Sequence, residues 1–257
     1  MPDGKNVKLA LFDCDGTLVD SQHVIVSAMT RAFDRAGIVR PPREAILGIV
    51  GLSLVEAMRK LGDNAPDFPA EELAGLYRTA FHELRDEGNF TEPMFPGMRD
   101  LIEALHRRDD VLVGMATGKS QRGVASVLKH HGMEGRFVTI QTADDAPSKP
   151  HPAMVEQAMA AVGAGRHETV LIGDTSYDMI MARAAGVGAI GVTWGYHAPD
   201  MLEEGGAHLL VNGAGDLAQG LDEIWQQLAQ ESAGAEGLGS EGLVAENLGT
   251  ENLGTRR

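Results

Sequence analysis

An open α/β sheet carrying an inserted helical unit is the fold class the sequence predicts, and three observations predict it. Short apolar runs alternate with amphipathic helical spacing along most of the chain. The alternation is suspended once, directly after the first run, for some 75 residues. Small clusters of polar residues then sit immediately behind several of the runs, where an open α/β sheet presents its ligand-binding edge.

In chain order the runs are VKLALF (7–12), VLVGMA (111–116), RFVTI (136–140), TVLI (169–172), GAIGV (188–192) and HLLV (208–211), short and continuously apolar as buried parallel strands are. Between them, 98–108, 120–131, 152–162, 176–185 and 214–229 have helical spacing with breaking residues at their ends, which suits crossover helices. From 19 to 94 the pattern is helical only, broken by Pro41-Pro42 and by NAPDFP at 64–69, and this stretch is expected to be an inserted cap. Pro96 and Gly97 mark the return to the sheet. The expected division is therefore a core of residues 1–18 plus 95–230, a cap of 19–94 and a tail of 231–257. That tail holds four five-residue repeats, EGLGS, EGLVA, ENLGT and ENLGT, too short to stack into a core, and is expected to be disordered.

A formal charge of −15 repels nucleic-acid phosphates and anionic lipid, so neither nucleic acid nor membrane is expected as a partner. The single cysteine, Cys14, cannot form an internal disulfide, and no run has the length or flanks of a secretory signal or a membrane span, so the cytoplasm is the expected compartment. An acidic chain that handles phosphate esters needs positive charge concentrated locally by a metal ion and a few cations.

The residues behind the strands form one set. The first strand is followed by Asp13, Cys14, Asp15, Gly16 and Thr17, the second by Thr117, Gly118 and Lys119, and the fourth by Gly173, Asp174 and, a helical turn on, Asp178. Carboxylates crowded at one sheet edge require a cation, and a hard divalent ion with oxygen ligands, magnesium, fits best. With it, Asp13 becomes a plausible nucleophile toward phosphorus, while Asp15, two residues on and on the same side of an extended backbone, suits proton transfer to the leaving oxygen. Thr117 and the amides after it stand at a strand-to-helix turn suited to phosphate oxygens, and Lys149 supplies further positive charge. Cys14 alternates with the two aspartates and is assigned to packing, while Tyr77 and Phe81 are assigned to the cap core. His23, His82 and His151 are left outside the site.

The segments DCDGTLVDS, ATGKS, SKPHPAM and IGDTSYDMIMARAAG, in this order, resemble the four motifs of the haloacid dehalogenase superfamily. The resemblance implies a Rossmann-like parallel-sheet core with an α-helical cap. It further implies Asp13 as nucleophile and metal ligand, Asp15 as acid/base with its backbone carbonyl on the metal, and Thr117, Gly118 and Lys149 as phosphate binders. Asp174 would be a direct magnesium ligand and Asp178 a support of the metal shell that also holds Lys149. The helical insertion resembles the cap of the phosphoglycolate phosphatase and β-phosphoglucomutase branch, which makes a small phosphorylated metabolite, 2-phosphoglycolate first, the implied substrate.

Asp15 argues for phosphate esters, because the dehalogenase and phosphonatase branches lack this second aspartate. A phosphomutase is the alternative enzyme. It is disfavoured because the loop Gly48–Ser53, aligned with the substrate-facing turn, contains no Arg or Lys, although Arg43, Arg59 and Lys60 lie nearby. A regulatory phosphoacceptor domain is the alternative of another class, and it needs neither Asp15 nor a cap. Because no motif falls in the tail, truncation before residue 232 is expected to leave kcat unchanged in a steady-state assay.

Overall fold

The computed structural model describes the backbone of residues 7–88 and 92–245, and the side chains of these residues as far as 234. Among them, six strands form one all-parallel sheet in the order β3-β2-β1-β4-β5-β6. They are β1 (Lys8–Phe12), β2 (Val111–Thr117), β3 (Thr139–Thr142), β4 (Thr169–Gly173), β5 (Gly188–Val192) and β6 (Leu209–Val211). The helices α1 (Gln22–Ala36), α2 (Arg43–Leu47), α3 (Leu54–Leu61) and α4 (Ala70–Asp86) follow β1 without an intervening strand. Then come α5 (Met98–His106), α6 (Gln121–His131), α7 (Ala153–Val162), α8 (Ser176–Ala185), α9 (Pro199–Glu204) and α10 (Ala214–Ala245).

Because side chains alternate across a strand, β1 contributes to two cores. Ala10 and Phe12 join one apolar cluster with Met98, Ile102, Val124, Leu217 and Leu221, on the face covered by α5, α6 and α10. Leu9 and Leu11 join a second with Met154, Ala158, Met179 and Ala182, on the face covered by α7 and α8. A third cluster belongs to the insertion, where Val24, Met29 and Phe33 of α1 meet Met58 of α3 and Leu73 of α4. The two chain passages between sheet and insertion lie side by side. Val19 bridges Met94 in antiparallel sense, Asp20 N donates to Pro93 O at 2.8 Å, and Phe95 N donates to Leu18 O at 3.0 Å.

Three expectations are corrected. β3 lies at Thr139–Thr142 rather than 136–140, because Phe137 is used in the core beside Met133 ahead of the ladder. A short helix, α9, stands in a stretch for which no element was expected, started by Pro199 at its first turn. The last helix does not end near 229 but runs to Ala245, so residues 231–245, expected to be disordered, are helical. Its first turns are fixed by buried Leu217, Leu221, Ile224, Trp225 and Leu228, and extending an existing helix needs no new nucleus. The rest of the expected disordered tail, 246–257, lies outside the described residues. No helix among the described residues is long and apolar enough to cross a membrane.

Phe12 is fully buried at the centre of the sheet. Phe12→Ala is expected to lower unfolding free energy by about 3–5 kcal/mol, read from urea-induced unfolding.

Candidate active site

Asp13 continues β1 by one residue, and its N–H donates to Ile172 O of β4 at 2.9 Å, which fixes it at the carboxyl end of the sheet. Asp174 follows β4 by one residue in the same way. Asp178 sits in the first turn of α8, where a capping box holds it: Thr175 Oγ1 donates to Asp178 Oδ2 at 2.6 Å, and Thr175 N donates to the same oxygen at 3.2 Å. One oxygen from each of these three buried carboxylates lies within 4.8 Å of the others. Lys149, fully buried on the loop between β3 and α7, donates to Asp178 Oδ1 at 2.6 Å and stands 2.9 Å from Asp13 Oδ1. The latter is a buried ion pair, so the one ammonium is shared between Asp13 and Asp178.

The electrostatics follow from this packing. Burial pushes the Asp13 carboxyl up to about 6 against the pull of Lys149, with Asp178 adding to the rise. Burial, then the charges of Asp13 and Asp178, hold Asp174 well above the usual carboxylate range. For Lys149 burial acts downward, but Asp13 and Asp178 outweigh it and keep the ammonium charged.

This donor set fits a hard divalent cation. Asp178 accepts three bonds, one from Lys149 and two from Thr175, whereas Asp174 accepts one per oxygen, from Thr17 Oγ1 at 2.9 Å and from Tyr196 N at 2.9 Å, and Asp13 is met by the Lys149 ammonium at 2.9 Å. Asp13 and Asp174 thus keep more open acceptor sites than Asp178, and oxygen-only ligands suit magnesium. The carboxylate of Asp15 is not in this cluster. It accepts from Ser21 Oγ at 2.5 Å and from Lys119 Nζ at 2.7 Å, on the side facing the insertion.

Thr117 ends β2, and α6 begins after Ser120, whose side chain caps Gly123 N at 3.2 Å. Gly118 between them is forced by the cap. A Cβ there would stand 2.3 Å from Gly51 O, so the cap loop rests directly on this turn. The same loop meets the Lys149 segment, with Ser53 N donating to Ser148 Oγ at 2.8 Å.

Between cap and sheet edge lies a cavity of about 470 Å³ that opens onto Asp13, Asp15, Thr117 and Gly118. Sequence reasoning named Lys119 behind the second strand but gave it no role, and its ammonium is buried between Asp15 and Glu92 Oε1, the latter at 2.9 Å. Its place two residues after Thr117 was the available signal, whereas Glu92 stands alone in the sequence and gave none. One assignment is extended and one is corrected. Tyr77 and Phe81, ring centroids 5.8 Å apart, flank the cap core but also line the cavity, because α4 presents one face to it. His82, left outside the site, lines it too, while His23 and His151 are exposed elsewhere. Cys14 is buried in the core, as expected.

The model of the haloacid dehalogenase-like hydrolases matches residues 10–192, which span all four motifs. This chain belongs to that family. A probable phosphatase, IndB, of Dickeya dadantii is 33% identical over 207 residues, 79% of this chain and 89% of the relative. The pyrophosphatase PpaX of Bacillus pumilus is 30% identical over 197 residues, 76% of this chain and 88% of the relative. Among solved structures, a hydrolase from Pseudomonas syringae superposes with a TM-score of 0.74 at 28% identity, covering 85% of this chain and 99% of that one. This haloacid dehalogenase-like hydrolase is an enzyme of the phosphatase type.

Gly16 turns the loop after Asp15 with φ +85°, and a Cβ there would stand 2.2 Å from Asp174 Oδ2. Gly16→Ala is expected to lower kcat at least about tenfold by displacing this carboxylate, a shift of about 1.4 kcal/mol in barrier. Steady-state assay paired with circular dichroism checks that the fold survives.

Proposed function

We propose that this hydrolase is a magnesium-dependent phosphatase of small-molecule phosphate monoesters that works through a phosphoaspartate on Asp13. The observation that carries the reading is the Asp13 carboxylate, buried at the floor of a cavity large enough for a metabolite and sharing one ammonium, Lys149, with Asp178. Such a group is costly to keep unless a reaction or a cation uses it.

In this reading an Asp13 carboxylate oxygen forms the bond to phosphorus as the ester P–O bond breaks, and Asp15 gives its proton to the leaving oxygen. Asp15 then takes a proton from water, whose oxygen attacks phosphorus and releases inorganic phosphate from Asp13. Thr117, the Gly118 turn and Lys149 hold the phosphoryl oxygens. Asp13 and Asp174 would hold magnesium, with the backbone carbonyl of Asp15 as a further ligand and Asp178 orienting Lys149. When bound, the ion neutralises carboxylate and phosphate charge so that an anion can approach an anion. 2-Phosphoglycolate, the substrate that the resemblance implies, belongs in the first panel of esters, and the cytoplasm is the compartment we propose.

Asp13→Asn is expected to reduce phosphate release from every hydrolysed ester by at least about a thousandfold, and chelation of divalent ions to do the same reversibly. Chelator-resistant release, or turnover retained in Asp13→Asn, would contradict the reading.

A further inference from the structure

The phosphatase reading leaves open what the phosphate is attached to, and the cap residues that line the cavity bear on that choice. It is built from Ile25 and Met29 of α1, Val50 and Leu54 around the cap loop, and Tyr77 and Phe81 of α4. These are apolar surfaces or aromatic faces, several of them continuous with the buried core of the cap. At about 470 Å³ the space is in the range that holds a drug-sized molecule and far exceeds what a two-carbon acid fills.

Charge points the same way. A leaving group that bore its own carboxylate or second phosphate would need a cation near the leaving oxygen, on the side of Asp15. The ammonium there is Lys119, and it is already held by two carboxylates, Asp15 at 2.7 Å and Glu92 at 2.9 Å. Glu92 is 4% exposed, so this trio is a buried unit in which the Lys119 ammonium is already engaged on two sides. An incoming anion would have to break one of these ion pairs and would meet the carboxylate left behind. The remaining cations that line the cavity, Arg78, Arg85 and Arg122, are exposed side chains, and Arg85 donates to Ser126 Oγ.

We infer that the substrate is a phosphate monoester with an uncharged, predominantly apolar organic group, accommodated between α1, the Gly48–Ser53 loop and α4. This rests on the phosphatase reading and adds a selection rule to it. Anionic leaving groups are disfavoured by the Lys119 trio, and apolar ones are favoured by burial against the cap. Small anionic esters such as 2-phosphoglycolate, and inorganic pyrophosphate, are accordingly poor substrates.

The test uses the full chain with magnesium and compares kcat/KM for n-hexyl phosphate, ethyl phosphate, 2-phosphoglycolate and pyrophosphate, with Asp13→Asn as control. The two alkyl esters have leaving alcohols of near-equal basicity, so their ratio reports binding of the chain. Hexyl phosphate is expected to exceed ethyl phosphate and 2-phosphoglycolate by about tenfold or more. Phe81→Ser should narrow the hexyl-to-ethyl ratio by several-fold. Equal values for the two alkyl esters, an unchanged ratio in Phe81→Ser, or Asp13-dependent release that is fastest from 2-phosphoglycolate or pyrophosphate, would overturn the selection rule and leave the phosphatase reading standing. Absence of Asp13-dependent release from all four would overturn both.

Discussion

Three buried carboxylates, Asp13, Asp174 and Asp178, share the carboxyl edge of β1 and β4 with a single buried ammonium, Lys149. Such a cluster carries surplus negative charge in a medium that screens it poorly, and folding alone gives no reason to assemble it. The fold supplies it through two adjacent central strands. β1 delivers Asp13 and β4 delivers Asp174 one residue past each ladder, while the capping box of α8 fixes Asp178. Raised carboxylate pKa values in a buried cluster that shares one ammonium mark a candidate site for a cation and a phosphoryl group.

The rest of the molecule follows from having to cover that edge. A sheet edge with surplus charge reacts selectively only if water and the leaving group are controlled, and the insertion between β1 and α5 provides the cover. Its loop sits on Gly118 so closely that no side chain fits, and its linkers pair beside each other through Val19 and Met94. The passage Asp20 to Pro93 is thereby short and hydrogen-bonded, a suitable place for a hinge. Asp15, Lys119 and Glu92 tie core and linker together by buried charge contacts, so cap position and the Asp15 carboxylate are physically connected.

Much of this was legible in the sequence because the relevant signals are local. The central strands read as apolar runs since both sheet faces are covered, and Asp13, Asp15, Thr117, Asp174 and Asp178 were found by looking just past each run. Lys149 has no strand of its own and came from its spacing before α7. What failed was non-local. β3 was displaced because an apolar run does not say whether Phe137 packs before or within the ladder, and α10 outran its apolar pattern because helix extension depends on the turns already formed. Glu92, Tyr77, Phe81 and His82 reach the cavity or its charge cluster only because the cap lies over the sheet, a relation between segments far apart in the chain.

The central claim is covalent attachment of phosphate to Asp13, and its most direct test is chemical trapping during turnover. Enzyme mixed with a hydrolysed ester and magnesium would be quenched in acid within the first turnover and reduced with borohydride, which converts an aspartyl phosphate to homoserine. Peptide mass spectrometry is expected to find that conversion at position 13, with Asp15, Asp174 and Asp178 unmodified. A full first turnover of phosphate release with Asp13 unmodified, or conversion at a different aspartate, would contradict the account.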